Sequence, residues 1–211
     1  MSLDQTAAGS TASVTPEQEP TPELTMRIAE LLDDAGVQVN RELVRRIVTT
    51  GLLLGTDHTD RLDLKITAAA LDEMREAFQL CEPFESRRMV TVFGSARTKT
   101  DDPLYRQADA VAAALAAEGW MVITGAGPGL MQAAAEGAGP EQSIGVSIRL
   151  PFEEAPSDTL AEPNVVTMKY FFTRKLMLMK ESKGFVSLPG GFGTLDETFE
   201  LLTLQQTGKA E

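Results

Sequence analysis

Two hydrophobic rhythms divide the chain. From Thr21 to about Leu80 the apolar side chains recur every third or fourth residue, as on amphipathic helices. From Arg88 onward, short apolar runs alternate with helix-spaced segments. In the first part, Thr21-Pro22 reads as an N-cap followed by a first-turn proline. Leu24, Ile28, Leu31 and Leu32 keep the helical spacing until Gly36. Asn40 is placed to cap a second helix carrying Val44, Ile47 and Val48. A third is expected over 60–80, with Leu64, Ala68, Leu71, Met74 and Phe78 along one face and Glu82-Pro83 after it. These helices hold no clustered polar constellation and read as a packing or oligomerisation module. Ahead of them, residues 1–20 mix Ser, Thr, Ala, Glu and Pro without period, the composition of a disordered tail. The expected organisation is a tail at 1–20, a helical extension at 21–82 and an α/β domain at 88–211.

In that last part the pattern predicts strands at 89–93, 120–124, 143–148 and 184–188, with a shorter one at 165–167. Helices are expected over 103–117, from the second glycine turn to Gly137, over 169–182 and from Thr194 onward. Strands separated by helical patterns imply right-handed crossovers and a Rossmann-like, doubly wound parallel sheet. Ligands bind such sheets outside the carboxyl ends of the strands, where the strand order switches. Three strands run there into glycine-rich turns: Gly94-Ser95-Ala96-Arg97, Gly125-Ala126-Gly127-Pro128-Gly129-Leu130-Met131 and Pro189-Gly190-Gly191-Phe192-Gly193-Thr194. A turn of this kind leading into a helix offers unpaired N–H groups to an anion. The third is followed by two acids, Asp196 and Glu197, expected in the first helical turn.

Composition removes several alternatives. The net charge of −12 argues against a nucleic-acid surface, which needs clustered Lys and Arg. One cysteine, Cys81, allows no internal disulfide, and one histidine, His58, leaves little for a His/Cys metal site. Arg27 is the first basic side chain, so a charged signal n-region is lacking. No apolar run is long enough to span a bilayer. A cytoplasmic protein without membrane contact is expected. The phosphate motif G-x-x-x-x-G-K-[ST] is absent, and Gly125-x-Gly127-x-Gly129 lacks the spacing of a dinucleotide turn.

The segment before the third turn, Tyr170 to Met179, is apolar on nearly every face and is expected to be buried all round, with Arg174 and Lys175 in its middle. Either both side chains snorkel to the surface along their stems, or the arginine stays buried and needs an anionic partner. Beside the third turn it has two candidates, Glu197 and a ligand phosphate.

The run Leu188-Pro189-Gly190-Gly191-Phe192-Gly193-Thr194-Leu195-Asp196-Glu197 resembles the P-G-G-x-G-T-x-x-E signature of the LOG ("lonely guy") family. Residues 170–179 resemble that family's Arg-Lys helix, and the two earlier turns resemble its glycine turns. The resemblance covers roughly residues 88–209. It implies a phosphoribohydrolase that releases the base from AMP-like or cytokinin nucleoside 5′-monophosphates, with no metal or redox cofactor. A homodimer is implied as well. Arg174 and Glu197 would form the catalytic pair: Glu197 stabilises the cationic sugar or activates water, and Arg174 holds the substrate. Gly190, Gly191, Gly193 and Thr194 would bind the 5′-phosphate. Gly94, Ser95, Arg97, Gly125, Gly127, Gly129, Leu130, Met131 and Lys175 would line the rest of the nucleotide site. Asp196 reads as a helix-start acid only. Residues 148–164 are expected to shape the base pocket.

Relatives often carry a "lysine decarboxylase" label, yet nothing here marks a Schiff-base lysine or a pyridoxal phosphate site. The helical extension resembles the longer bacterial members. Beyond the Gln206-Thr207-Gly208-Lys209 segment the family pattern continues with a further strand and helix, so this sheet is expected to lack its C-terminal strand. The alternative is a nucleotide- or cofactor-binding module on the same scaffold without turnover.

Overall fold

A computed structural model describes residues 20–150 and 164–209. Residues 1–19 of the expected tail and the stretch 151–163 of the expected base pocket lie outside them, as do residues 210–211. The chain forms two compact units, Met1–Leu64 and Lys65–Glu211.

The first unit contains helices α1 (Pro22–Asp34) and α2 (Arg41–Thr56). Thr21 caps α1 as its sequence position implies, its hydroxyl accepting from the Leu24 N–H at 3.2 Å. Asn40 does not use its side chain in this way. It sits in the left-handed region at φ 52°, and only its carbonyl accepts from the start of α2. Arg41 ties α2 back to α1, with an ion pair to Asp33 at 2.7 Å and a bond to the Val37 carbonyl.

The third helix, α3, spans Arg61–Cys81, and most of it belongs to the second unit. Its buried line is not the expected Leu64, Leu71 and Phe78, which are exposed. Ala70, Glu73, Ala77 and Cys81 face inward instead. Small side chains let this helix lie close over the sheet, and that closeness selects the face.

Five parallel strands follow in the order β4-β3-β2-β1-β5: β1 (Met89–Phe93), β2 (Met121–Thr124), β3 (Ser143–Ile148), β4 (Val165–Met168) and β5 (Gly184–Ser187). Between them run α4 (Pro103–Ala117), α5 (Leu130–Ala138) and α6 (Phe171–Lys180), and α7 (Phe192–Gln206) follows β5. Strand residues alternate between two cores, as the period of two requires. On one face Met89, Phe93, Met121, Ile123, Ile144 and Met168 pack with Ala77 and Cys81 of α3 and Met177 and Leu178 of α6. On the other, Val90, Val92 and Val122 meet the alanines of α4 and α5. The sheet is therefore doubly wound. No described helix is long and apolar enough to cross a membrane.

Two further helices depart from expectation. α6 is not buried all round: Thr173, Arg174, Met177 and Leu178 face inward, whereas Phe171, Phe172 and Leu176 are exposed. Its polar residues face inward because buried acceptors wait there: Glu73 of α3 for the Thr173 hydroxyl, and the Val146 and Gly125 carbonyls for Arg174. α7 starts at Phe192, earlier than Thr194, so Asp196 and Glu197 fall in its second turn, beyond the reach of the helix-end charge that favours first-turn acids.

Candidate active site

The winding of the sheet reverses between β1 and β5, so the turns after these strands flank the switch point. They are tied together through Ser95, whose N–H donates to the Pro189 carbonyl at 3.2 Å. The Ser95 carbonyl accepts from the Leu130 N–H at 2.9 Å, which fixes the start of α5 to the same turn. Gly129 makes this approach possible. Its φ is +71°, and a Cβ there would stand 2.3 Å from the Ser95 carbonyl oxygen.

Arg174 and Glu197 meet at the centre of this edge. The guanidinium Nη1 donates to Glu197 Oε1 at 3.0 Å, with the two side chains 9% and 12% exposed. Nε donates to the Val146 carbonyl of β3 at 2.8 Å, and Nη2 reaches the Gly125 carbonyl at 3.4 Å. A Cβ on Gly125 would lie 2.0 Å from Nη2, so the bare backbone there is space that the arginine fills. Arg174 is thus fixed by three elements and holds Glu197 in turn. Burial is the largest influence on Glu197 and raises its pKa above the ordinary glutamate range. The charge and hydrogen bond of Arg174 oppose the rise, Asp196 adds to it, and Lys175 counteracts it.

Lys175, expected on the nucleotide, is engaged by α7. It pairs with Asp196 at 3.1 Å and Glu200 at 2.5 Å. Asp196 thereby acquires a role beyond that of a helix-start acid: it ties α7 to α6 outside the buried pair. Leu130 is fully buried against Gly94, so its side chain belongs to the core. Met131 places its thioether beside Gly125 and Gly127. Arg97 is exposed, and its N–H donates to the Ser95 hydroxyl.

The third turn is different. A Cβ on Gly190 would collide with Thr194, which is buried, whereas one on Gly191 or Gly193 would meet no atom of the described residues within 4 Å. No side chain caps the N-terminus of α7. Unobstructed glycines with first-turn N–H groups leave room for an anion to reach the backbone. Among the described residues, no group of three His, Cys, Asp or Glu side chains is arranged to hold a metal ion.

One contributor is missed by motif reading. Glu73 of α3, 8% exposed, accepts from the Lys169 N–H at 2.9 Å, the Tyr170 N–H at 3.4 Å and the Thr173 hydroxyl at 2.5 Å, just ahead of Arg174. Its sequence signal is register: it is the acid in the small-residue line Ala70, Ala77, Cys81.

Residues 129–211 match a family model described as "possible lysine decarboxylase". The chain is 32% identical over 123 residues to a cytokinin riboside 5′-monophosphate phosphoribohydrolase of Mycobacterium marinum, covering 56% of this chain and 65% of that one. It is 34% identical over 91 residues to LOG6 of Arabidopsis thaliana, a probable enzyme of the same name, covering 42% and 44%. Over these matched stretches the α/β unit is similar to proteins of the LOG family. The chain spans less than two thirds of the length of these LOG relatives. A solved Moco carrier protein from Chlamydomonas reinhardtii is also similar, at 22% identity and a TM-score of 0.45 over 56% of this chain and 72% of that one.

Proposed function

We propose that the chain hydrolyses the N-glycosidic bond of a nucleoside 5′-monophosphate, of AMP or cytokinin-nucleotide type, to free base and ribose 5-phosphate. The observation that carries this reading is the buried Arg174–Glu197 pair beside the unobstructed Gly191–Gly193 turn. Cleavage of a glycosidic bond builds positive charge on the sugar carbon. A carboxylate fixed at that point stabilises the charge or takes a proton from the attacking water, while an anion site on α7 holds the phosphate. Arg174 acts by fixing Glu197 and keeping it ionised, and Thr194 with the α7 N-terminus takes the phosphate.

The homodimer implied by the family resemblance is supported by the apolar side chains that α6 and α7 leave exposed: Phe171, Phe172, Leu176, Phe192 and Phe199. Cys81 is buried, and its thiol is pushed up to about 11 by that burial and so stays protonated.

The test is base release from AMP, CMP and isopentenyladenosine monophosphate, beside the dephosphorylated nucleosides. Release from a monophosphate and not from its nucleoside is expected. If AMP raises the melting temperature without any release, the chain is a binding module. No release and no thermal shift would leave it without a working nucleotide site.

Gly193→Ala separates phosphate binding from folding. Alanine is the better helix former by up to about 1 kcal/mol, and space for the methyl is open. The unfolding midpoint should hold or rise, while KM for the monophosphate increases about 10-fold, the loss of one well-made hydrogen bond to a charged group. An unchanged KM would remove the phosphate from this turn.

A further inference from the structure

The start of α6 is held by a charge from a different part of the chain. Tyr170, the residue preceding α6, makes no side-chain cap. Glu73 supplies what is missing: one carboxylate oxygen accepts from Lys169 N–H, the other from Tyr170 N–H and the Thr173 hydroxyl. In a capping box, a glutamate on the third helical residue reaches back to the N-cap N–H. Here threonine stands at that position, and the carboxylate arrives from α3, nearly a hundred residues earlier in the chain. At 2.5 Å, the Thr173 contact has the length of an O–H···O⁻ bond. The Tyr170 carbonyl, 2.8 Å from the same hydroxyl, also accepts the Arg174 N–H at 3.2 Å.

We propose that Glu73 is a positioning residue for the Arg174–Glu197 pair, setting the register and tilt of α6 through Lys169, Tyr170 and Thr173. A negative group at this end of a helix is favoured electrostatically. Three buried or half-buried donors converge on it, so its removal leaves each to find another partner or to shift toward water. Thr173 and Arg174 are consecutive, and any shift of the first moves the guanidinium from its bonds to Val146, Gly125 and Glu197. α3 is thereby part of the site's support as well as of the core. The kinetic part of this inference rests on the hydrolase reading, whereas the geometric part does not.

The experiment compares wild type with Glu73→Ala and Glu73→Gln, using AMP as probe. It reads kcat, KM, and the titration of the Glu197 carboxyl by carbon NMR. The groups acting on Glu197 are Arg174 and Lys175 from α6 and Asp196 on its own helix. Glu73→Ala should lower kcat about 10- to 100-fold, the scale of an ångström-sized misplacement, with KM little changed because the phosphate turn lies on α7. Glu197 should titrate at higher pH as Arg174 draws away. Glu73→Gln keeps one acceptor and should move both readouts the same way by less.

A purely structural glutamate would lower the melting temperature and leave kcat per folded site and the Glu197 titration at wild-type values. That outcome in Glu73→Ala, or in Glu73→Gln should Glu73→Ala not fold, overturns the proposal. If wild type releases no base, the hydrolase reading fails alone, and the Glu197 titration still decides the role of Glu73.

Discussion

If the chain is the proposed hydrolase, Glu197→Gln should lower base release from a nucleoside 5′-monophosphate by about 10³-fold, with KM for the monophosphate close to wild type. The amide has the volume of the carboxylate and keeps an oxygen for Arg174 Nη1, 3.0 Å away in the native chain. What it loses is the negative charge and the capacity to take a proton. Neither loss touches the phosphate turn, so the effect belongs in kcat.

The pH dependence follows from the same side chain. Burial raises the pKa of Glu197, so the acid limb of kcat lies above the ordinary glutamate range, and activity falls as pH drops through the raised value. Between the ordinary and the raised value the folded chain holds a proton that the unfolded chain has released. Stability contributed by this group therefore falls as pH rises through that window. Glu197→Gln should remove this slope, and it should lower stability at neutral pH because the buried Arg174 guanidinium loses its counter-charge. Steady-state base release and urea unfolding across the window check both. A variant retaining a tenth of wild-type kcat would exclude Glu197 from the chemistry.

Arg174→Met has the second large effect, on stability and on turnover together. Removing one partner of a buried ion pair costs about 3–5 kcal/mol, because the other charge stays buried without compensation. Here the Val146 and Gly125 carbonyls lose their donors too. Glu197, deprived of the charge that opposes its upward shift, should titrate higher still, and the acid limb of any remaining activity moves with it. A fall in kcat of about 10²-fold or more is expected at neutral pH, the scale of losing one preorganised electrostatic partner. Arg174→Lys should recover only part of this. An ammonium on a flexible stem cannot reproduce a planar fork whose nitrogens face β3, the turn after β2, and α7. Thermal unfolding and pH–rate profiles of the two variants are the measurements. An acid limb at its wild-type position in Arg174→Met would show that the pair does not set the protonation of Glu197.

Much of the α/β unit was legible because its signals are local. Asp102-Pro103 and Gly119 delimit α4 through capping, a fixed proline φ and a stop, none of which needs a distant partner. The strands at 89–93 and 143–148 are short β-branched runs closed by glycine or charge, and they fold as read. The reading weakened wherever a face had to be chosen. The large side chains of α3 make the stronger periodic stripe, yet the alanine line lies against the sheet because close approach rewards small residues. On α6 the apolar side chains were read as inward. Glu73 instead draws Thr173 inward, the Val146 and Gly125 carbonyls draw Arg174, and the phenylalanines are left outside.

The candidate site divides along the same line. By itself the sequence determined that three strands end in glycine turns, that an arginine and a glutamate stand near the third, and that the chain has the order of elements of a doubly wound sheet. Those are properties of neighbours along the chain. Only the tertiary structure decided that Arg174 binds Glu197 and two backbone carbonyls, that Lys175 is engaged by Asp196 and Glu200, and that Glu73 holds α6. The physical reason is that a buried charge is satisfied by whatever the fold brings within about 3 Å. For Glu73 those groups lie about a hundred positions away along the chain, where no periodicity or motif can register them.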